Sequence, residues 1–177
     1  MCKRGHGLTL FELLITLSLI ALLAGIAIPS FEKMIANGRI RTEIDALFHA
    51  VHLARKESIL RRKVVSICPS NDGRQCSASS DWSDGWLMFE NRDRDDPPRI
   101  DSGELLLQTR QISAPVRISA NRRGFTLRAT EKRATNGTLV VCDRKNRVTP
   151  RALVVSYTGR PRVALRRRNG DAYACID

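Results

Sequence analysis

The sequence has few of the side chains on which enzymes most often rely. Its three histidines, His6, His49 and His52, all precede residue 53, so the rest of the chain has none to activate a nucleophile. Aromatic residues make up only 5%, and no recognition helix, zinc finger or aromatic stacking platform is evident. We therefore expect neither an enzyme nor a cofactor, and no sequence-specific reading of nucleic acid.

Acidic residues are also scarce, with 18 Asp or Glu against 30 Lys or Arg and a formal net charge of +12. This balance indicates an anionic partner, such as nucleic acid, a membrane surface or an acidic protein; a solvated basic surface is the alternative. Residues 144–170 contain no acid, and a second basic group precedes them. The first group is Arg144, Lys145, Arg147, Arg151, Arg160, Arg162, Arg166, Arg167 and Arg168, and the second is Arg117, Arg122, Arg123, Arg128, Lys132 and Arg133.

Charge is almost absent from residues 8–28, where Glu12 is the one charged side chain. A helix of this length spans about 30 Å, which is the thickness of the apolar core of a bilayer. A carboxylate in the middle of a bilayer costs about 2.5–3.5 kcal/mol, so we expect Glu12 to be kept for a function. A secretory signal has a shorter apolar core and a different cleavage site, and a plain membrane anchor leaves Glu12 unexplained.

The residues at the start of this run form a specific pattern. A short basic head ends at Gly7, the sequence Leu-Thr-Leu-Phe-Glu runs from Leu8 to Glu12, and Pro29 follows the apolar run. This stretch resembles the N-terminus of type IV pilins and pseudopilins. The resemblance implies that a prepilin peptidase cleaves after Gly7 and that the new N-terminus is methylated at Leu8, where phenylalanine is usual. It also implies that Glu12 and Pro29 serve assembly with other pilin subunits.

The resemblance divides the chain into three parts and predicts a location in a bacterial cell. Residues 1–7 are the leader, residues 8–35 form a helix that crosses the inner membrane once and later packs in a filament, and residues 36–177 form the globular domain. Lys3 and Arg4 hold the leader on the cytoplasmic side, so the globular domain is periplasmic and later lies in a pilus at the cell surface. The expected partners are inner-membrane lipid, the peptidase and other pilins.

Apolar periodicity extends the helix through residues 36–63, with Ile40, Ile44 and Leu47 on a face that covers a sheet. Short strands with turn signals follow, which favours antiparallel pairing in an α+β domain. The resemblance implies the type IV pilin fold, in which a long N-terminal helix with a hydrophobic half and an amphipathic half packs on an antiparallel β-sheet domain. We expect Pro29 to kink the helix. The expected strands are 64–68, 86–89, 104–109, 116–120, 125–129, 138–142, 152–157 and 162–166.

Five cysteines are present, one of them in the leader. The remaining even number in an exported chain indicates two disulfides, for which three pairings are possible. We favour Cys68 with Cys76, which closes a short polar loop, and Cys142 with Cys175, which ties the last residues to an inner strand. Irregular spacing and the lack of a nearby histidine argue against zinc. Arginines interleave the acids of residues 93–101, which favours a solvated turn over a calcium site, so no metal is expected.

Two later stretches of the sequence resemble one particular family among the pilins and pseudopilins. Residues 81–96 hold a Gly-Trp-Leu-Met-Phe strand followed by an acidic loop, and residues 138–163 hold a cysteine strand followed by the turn Gly159-Arg-Pro-Arg. These stretches resemble the GspH/FimT family of minor pilins and pseudopilins, and within it the FimT/FimU type. Members of that type have been linked to DNA binding in natural transformation through the basic residues of this turn, which are Arg160 and Arg162 here.

The basic residues also support an anion site by themselves. Arginine forks match phosphate oxygens in pairs, so the backbone of double-stranded DNA would be bound without sequence preference and less tightly in salt. Two alternatives remain: a structural or priming pilin without DNA binding, and a pseudopilin of type II secretion. The expected DNA-binding residues are Lys145, Arg147, Arg160, Arg162, Arg166, Arg167 and Arg168.

Overall fold

The computed structural model of the chain describes residues 9–129 and 133–175. It begins with one long helix, α1 (Leu10–Arg61), which Thr9 caps. The Oγ1 of Thr9 accepts a hydrogen bond from the backbone N–H of Glu12 at 3.2 Å, and the carboxylate of Glu12 accepts one from the backbone N–H of Thr9 at 2.9 Å. These reciprocal bonds satisfy N–H groups that the first turn of a helix leaves without partners.

The two halves of α1 have different surroundings. From Thr9 to Ile35 no side chain is buried, whereas a buried stripe begins at Ala36 and continues to Ser58. The helix is long and apolar enough near its N-terminus to cross a membrane. Pro29 lies inside α1, which continues past it without a break, and the expected kink stays a prediction. The predicted cleavage site at Gly7 and Leu8 lies outside the described residues.

Eight strands follow α1 in the described part of the chain, as the sequence predicts. They form two four-stranded sheets, and every pairing is antiparallel. The strands are β1 (Val65–Pro69), β2 (Gly85–Glu90), β3 (Leu106–Gln111), β4 (Val116–Ala120), β5 (Phe125–Leu127), β6 (Gly137–Asp143), β7 (Arg151–Val155) and β8 (Pro161–Ala164).

The first sheet has the strand order β3-β2-β1-β5, and the second has the order β4-β6-β7-β8. This division arises because β4 and β5 follow each other in the chain but pair with different partners: β4 with β6, and β5 with β1. A short irregular connection separates β4 from β5, so the chain changes sheets there. The sequence predicts the antiparallel pairing but not the division into two sheets.

The core lies between the second half of α1 and the inner faces of both sheets. The predicted apolar face of α1 is confirmed, because Ile40, Ile44 and Leu47 are buried. Burial of such side chains stabilises the domain by about 1.5–3 kcal/mol each. The sheets contribute Val65, Ile67, Trp86, Met88, Phe125 and Leu127 from the first, and Val116, Ile118, Leu139, Val141, Leu153 and Val155 from the second.

Both disulfides in the structure have the pairings that the sequence favours. Cys68 is bonded to Cys76, with the Cα atoms 5.6 Å apart, and Cys142 is bonded to Cys175, with the Cα atoms 6.0 Å apart. The second bond spans a sequence separation of 33, for which the loss of unfolded-chain entropy contributes about 3–4 kcal/mol. Within residues 9–129 and 133–175, no group of three His, Cys, Asp or Glu side chains is arranged to hold a metal ion.

Candidate nucleic-acid interface

The turn between β7 and β8 positions the exposed side chain of Arg160. The Gly159 N–H donates to the Ser156 carbonyl oxygen at 2.8 Å, and the Arg160 N–H donates to the Ser156 Oγ at 3.2 Å. Gly159 has a φ of +71°, and a Cβ atom at this position would lie 2.8 Å from the Leu127 Cδ1. Because both the backbone conformation and the close packing require glycine, the turn is held in one place against the core.

Arg162 lies on the outer face of the second sheet, which is the face turned away from α1. Its register partner on β7 is Val154, and the partner of Val154 on β6 is Thr138. The neighbours Leu153 and Val155 are buried in the core. Successive side chains of a strand point to opposite faces, so Val154 and the exposed Arg162 share the outer face.

The segment after β8 folds back over this outer face. It is attached at its end by the disulfide between Cys175 and Cys142, and Tyr173 packs on the outer side of the sheet. The Arg167 N–H donates to the Asp171 carbonyl oxygen at 2.7 Å, which closes a tight turn within the segment. The guanidinium carbon of Arg167 lies 5.7 Å from the centroid of the Tyr173 ring, within the range of a cation–π contact.

The segment after β8 and the β7–β8 turn border two neighbouring clefts on this outer face. Arg162 and Arg168 line both clefts. The inner cleft, with a volume of about 380 Å³, is also lined by Arg167 and Tyr173. The tip cleft, with a volume of about 520 Å³, is also lined by Tyr157 from the β7–β8 turn. None of the described residues that line either cleft carries a carboxylate. The positive charge is therefore uncompensated within the clefts, which favours an anionic ligand there.

Lys145 and Arg147, which the sequence groups with these arginines, lie at the opposite end of the second sheet. They follow β6 and precede β7, whereas Arg160 follows β7. The five residues of β7 separate the two ends by about 14 Å. The Arg147 guanidinium contacts the Asp143 carboxylate at 2.8 Å and the Glu32 carboxylate at 3.4 Å, so its charge is already compensated. We therefore remove Arg147 from the expected DNA-binding residues.

Arg166 also lies apart from the two clefts. Its Nη1 donates to the carbonyl oxygen of Gly170 at 3.0 Å, within the same C-terminal segment. It lines a different cleft together with Asn37 of α1 and Thr149 of the β6–β7 connection. The structure thus brings together Arg162, Arg167 and Arg168, with Arg160 at the adjacent turn, and separates the other three predicted residues from them.

β6, β7 and the first part of the β7–β8 turn fall within a known family, whereas β8 and the segment after it, which carry Arg162, Arg167 and Arg168, lie beyond the residues that match. The sequence model described as Type II transport protein GspH matches residues 43–159, which is more than half of the chain. The chain belongs to the GspH family. The prokaryotic N-terminal methylation motif matches residues 2–28. The GspH-family chain is therefore a minor pilin or pseudopilin, for which assembly with other pilin subunits and processing by a prepilin peptidase are implied. A comparison with curated proteins finds no match.

Solved structures of a minor pilin and of a minor pseudopilin share the fold. The minor pilin FimU of Pseudomonas aeruginosa is 18% identical, with a TM-score of 0.52, and the match covers 70% of this chain and 91% of FimU. The minor pseudopilin EpsH from the type 2 secretion system of Vibrio cholerae is 10% identical, with a TM-score of 0.51, and covers 71% of this chain and 96% of EpsH. These identities show the fold alone, and they confirm the predicted long helix packed on antiparallel strands.

The Asp143–Arg147 pair of this GspH-family protein predicts how stability depends on pH. Hydrogen bonds from the Arg147 side chain lower the pKa of the buried Asp143 carboxyl. Because the folded pKa lies below the unfolded value of about 3.9, the stabilisation is complete above that pH and is lost as pH falls through the folded pKa. We expect Asp143→Asn to lower the free energy of unfolding by about 1.5–3 kcal/mol at neutral pH.

Urea denaturation at several pH values, followed by tryptophan fluorescence, measures this effect because Trp82 and Trp86 are buried. The difference in the free energy of unfolding between wild type and Asp143→Asn should shrink as the pH falls below the pKa of Asp143 in the folded protein. Asp45→Asn is the control, since Asp45 is an exposed carboxylate on α1. A difference that stays constant from neutral to acidic pH would contradict the linkage to Asp143.

The second basic group partly adjoins the clefts of this GspH-family protein. The Arg122 Nε donates to the carbonyl oxygen of Asn136 at 3.2 Å, and Asn136 lines the tip cleft. Arg122 and Arg123 are exposed, and Asn121 lines the inner cleft. This connection between β4 and β5 therefore extends the basic surface at its edge. Lys132 lies outside the described residues.

Tyr157 and Tyr173 are the candidate residues that the sequence reasoning missed. They are the only two tyrosines in the chain, and each lines one of the two clefts. They stand on either side of β8, so their positions in the sequence do not show that both meet the same two arginines. One feature of the sequence points to them: both tyrosines lie in or next to residues 144–170, the basic stretch that contains no acid.

Proposed function

We propose that this GspH-family protein is a FimT-like minor pilin that is incorporated into a type IV pilus and binds DNA without sequence preference, for DNA uptake in natural transformation. One observation carries the proposal: Arg162, Arg167 and Arg168 gather on the outer face of the second sheet, with Arg160 at the adjacent turn. The described residues that line the clefts include no carboxylate to compensate them. The resemblance of the β7–β8 turn to that of the FimT type supports the same conclusion.

The chemistry of these side chains favours phosphate as the contacted group. A guanidinium group stays charged at all physiological pH values and donates paired hydrogen bonds that fit phosphate oxygens. Such contacts position the DNA backbone and carry no information about base sequence. They also release counterions from the DNA, so the affinity falls steeply as the salt concentration rises.

A charge-matched pair of variants tests the proposal. We expect Arg160→Gln/Arg162→Gln/Arg168→Gln to bind a short fluorescent DNA duplex at least about tenfold more weakly than wild type at low salt. In a plot of log affinity against log salt concentration, the slope should fall by about 0.9 for each phosphate contact removed. The measurement is fluorescence anisotropy with the full chain in nonionic detergent.

The control is Arg41→Gln/Lys63→Gln/Arg74→Gln, which removes the same charge from three exposed positions away from the clefts. If net charge alone causes the binding, both triple variants weaken it equally, and the proposed site is wrong. Failure of the wild-type chain to bind any DNA at low salt would remove the DNA-binding function itself. Lys145→Gln should leave the affinity nearly unchanged, because Lys145 lies at the other end of the sheet.

A second candidate function is a pseudopilin of type II secretion. It is favoured by the description of the matching family as Type II transport protein and by the shared fold of EpsH, which comes from a type 2 secretion system. A structural or priming pilin without DNA binding fits the same fold. The duplex-binding measurement distinguishes both alternatives from the proposed function, because neither needs an arginine surface for DNA.

The N-terminal features complete the proposal. Residues 1–7 are removed by cleavage between Gly7 and Leu8, and Leu8 becomes the methylated N-terminus. Residues 8–35 then lie in inner-membrane lipid before assembly, which fits the absence of buried side chains from residue 10 to residue 35. Residues 36–177 form the periplasmic domain, which the pilus carries to the cell surface after assembly.

A further inference from the structure

The two clefts have aromatic and aliphatic walls, which a site for phosphate alone does not require. Tyr157 lines the tip cleft, Tyr173 and Val140 line the inner cleft, and Val154 lines both. Phosphate oxygens gain nothing from contact with such side chains. The flat, weakly polar faces of nucleobases do gain from it, because every base has a π-face that stacks on an aromatic ring.

Tyr157 and Tyr173 differ in solvent exposure, but a ligand can reach both side chains from the solvent. Tyr157 stands on the β7–β8 turn with 64% of its surface exposed, so its ring is open to a ligand. Tyr173 is half-buried because it packs on the outer face of the second sheet, and the Arg167 guanidinium lies over its ring. A base can stack on an arginine plane as well as on an aromatic ring. Each cleft therefore offers one stacking element.

Arginines stand next to each stacking element. Arg162 and Arg168 line both clefts, so they lie between Tyr157 and Tyr173 on the same surface. Aromatic rings interleaved with cations form the arrangement by which proteins bind single-stranded nucleic acid without sequence preference. In a duplex the bases are paired and stacked inside, where these side chains do not reach them.

Resting on the proposed DNA-binding function, we infer that this surface preferentially takes single-stranded DNA. One base stacks on Tyr157, another stacks on the Tyr173–Arg167 pair, and Arg160, Arg162 and Arg168 contact the phosphates that link them. Duplex DNA uses the phosphate contacts only and is bound less tightly.

The experiment compares a fluorescent oligothymidine with a duplex of the same length, using the full chain in nonionic detergent. Wild type should bind the oligothymidine more tightly than the duplex. Tyr157→Leu should weaken binding of the oligothymidine by about tenfold, the typical loss of one stacked base, and weaken binding of the duplex by a clearly smaller factor. Tyr157→Phe should behave like wild type, since it keeps the ring. Tyr173→Leu, checked for folding by tryptophan fluorescence, should give a similar selective loss.

The outcomes separate this inference from the function on which it rests. Equal losses for both forms of DNA in Tyr157→Leu would overturn it, because Tyr157 would then only support the arginines. A wild-type chain that binds the duplex at least as tightly as the oligothymidine would also overturn it and leave the proposed function intact. Binding of neither form would remove the proposed function together with the inference.

Discussion

Gly85→Ala is expected to destabilise the globular domain by at least about 3 kcal/mol. Gly85 begins β2 opposite Gln111 of β3, and its φ is +150°. A Cβ atom there would overlap the carbonyl oxygen of Arg110 and lie 3.2 Å from the Cα of Gln111. Both obstacles are backbone atoms, so the clash is relieved only if β3 separates from β2. The Gly85 carbonyl also accepts a hydrogen bond from the Ser70 N–H at 3.0 Å.

Gly103→Ala isolates the conformational part of this cost. Gly103 has a φ of +90°, but a Cβ atom there would meet nothing within 4 Å. We expect this variant to lose only about 1–2 kcal/mol, the cost of a positive φ in a residue with a side chain. Urea denaturation followed by tryptophan fluorescence measures both variants. Similar losses for Gly85→Ala and Gly103→Ala would show that the β2–β3 contact absorbs the extra methyl group.

Glu12→Ala is expected to remove the chain from filaments while leaving it in the membrane. Glu12 is a carboxylate on an apolar helix half with no buried side chains, and its hydrogen-bond partner in this chain is Thr9. In lipid such a charge costs about 2.5–3.5 kcal/mol. We propose that in the filament it pairs with the freed N-terminal amine of a neighbouring subunit, as the resemblance to pilins implies. The Glu12 charge would then cost less free energy in the filament than in lipid, and this difference would favour assembly.

The measurement is the amount of the chain in sheared filaments relative to the membrane fraction of the same cells. Glu12→Gln should fail to assemble as Glu12→Ala does, because it keeps the size of the side chain but not its charge. Glu12→Asp should assemble at least in part. Ser18→Ala is the control, since Ser18 is polar, uncharged and hydrogen-bonded within its own helix. Normal recovery of Glu12→Ala in filaments would show that Glu12 has no role in assembly.

The elements of this fold depend on local signals and could therefore be predicted. The helix follows from the apolar run and the repeat of Ile40, Ile44 and Leu47, and each strand is bounded by turn residues within the same stretch of chain. The predicted strands and the strands in the structure differ mainly at their ends. β7 stops at Val155 instead of continuing to Tyr157, because Ser156 bonds with Arg160 to form the turn before β8.

The candidate site was predictable only in part, because charge in a sequence does not show which side chains share a surface. Arg147 looks like its basic neighbours in the sequence, yet the structure places it between Asp143 and Glu32. Lys145 lies close in sequence but at the far end of the sheet. The tyrosines of the two clefts lie in or beside the basic run, but they meet the same arginines only after the chain folds back.

The amino-acid sequence alone identifies a pilin-type subunit with a long N-terminal helix, a strand-rich domain and a basic C-terminal region. Those properties reside in contiguous motifs and in local periodicity, which do not depend on distant contacts. The division of the strands into two sheets is visible only in the folded chain, and so is the placement of four arginines on or beside one outer face. Folding also places a tyrosine in each cleft. These outcomes depend on strand register and on the Cys142–Cys175 bond, which folds the last residues back over the second sheet.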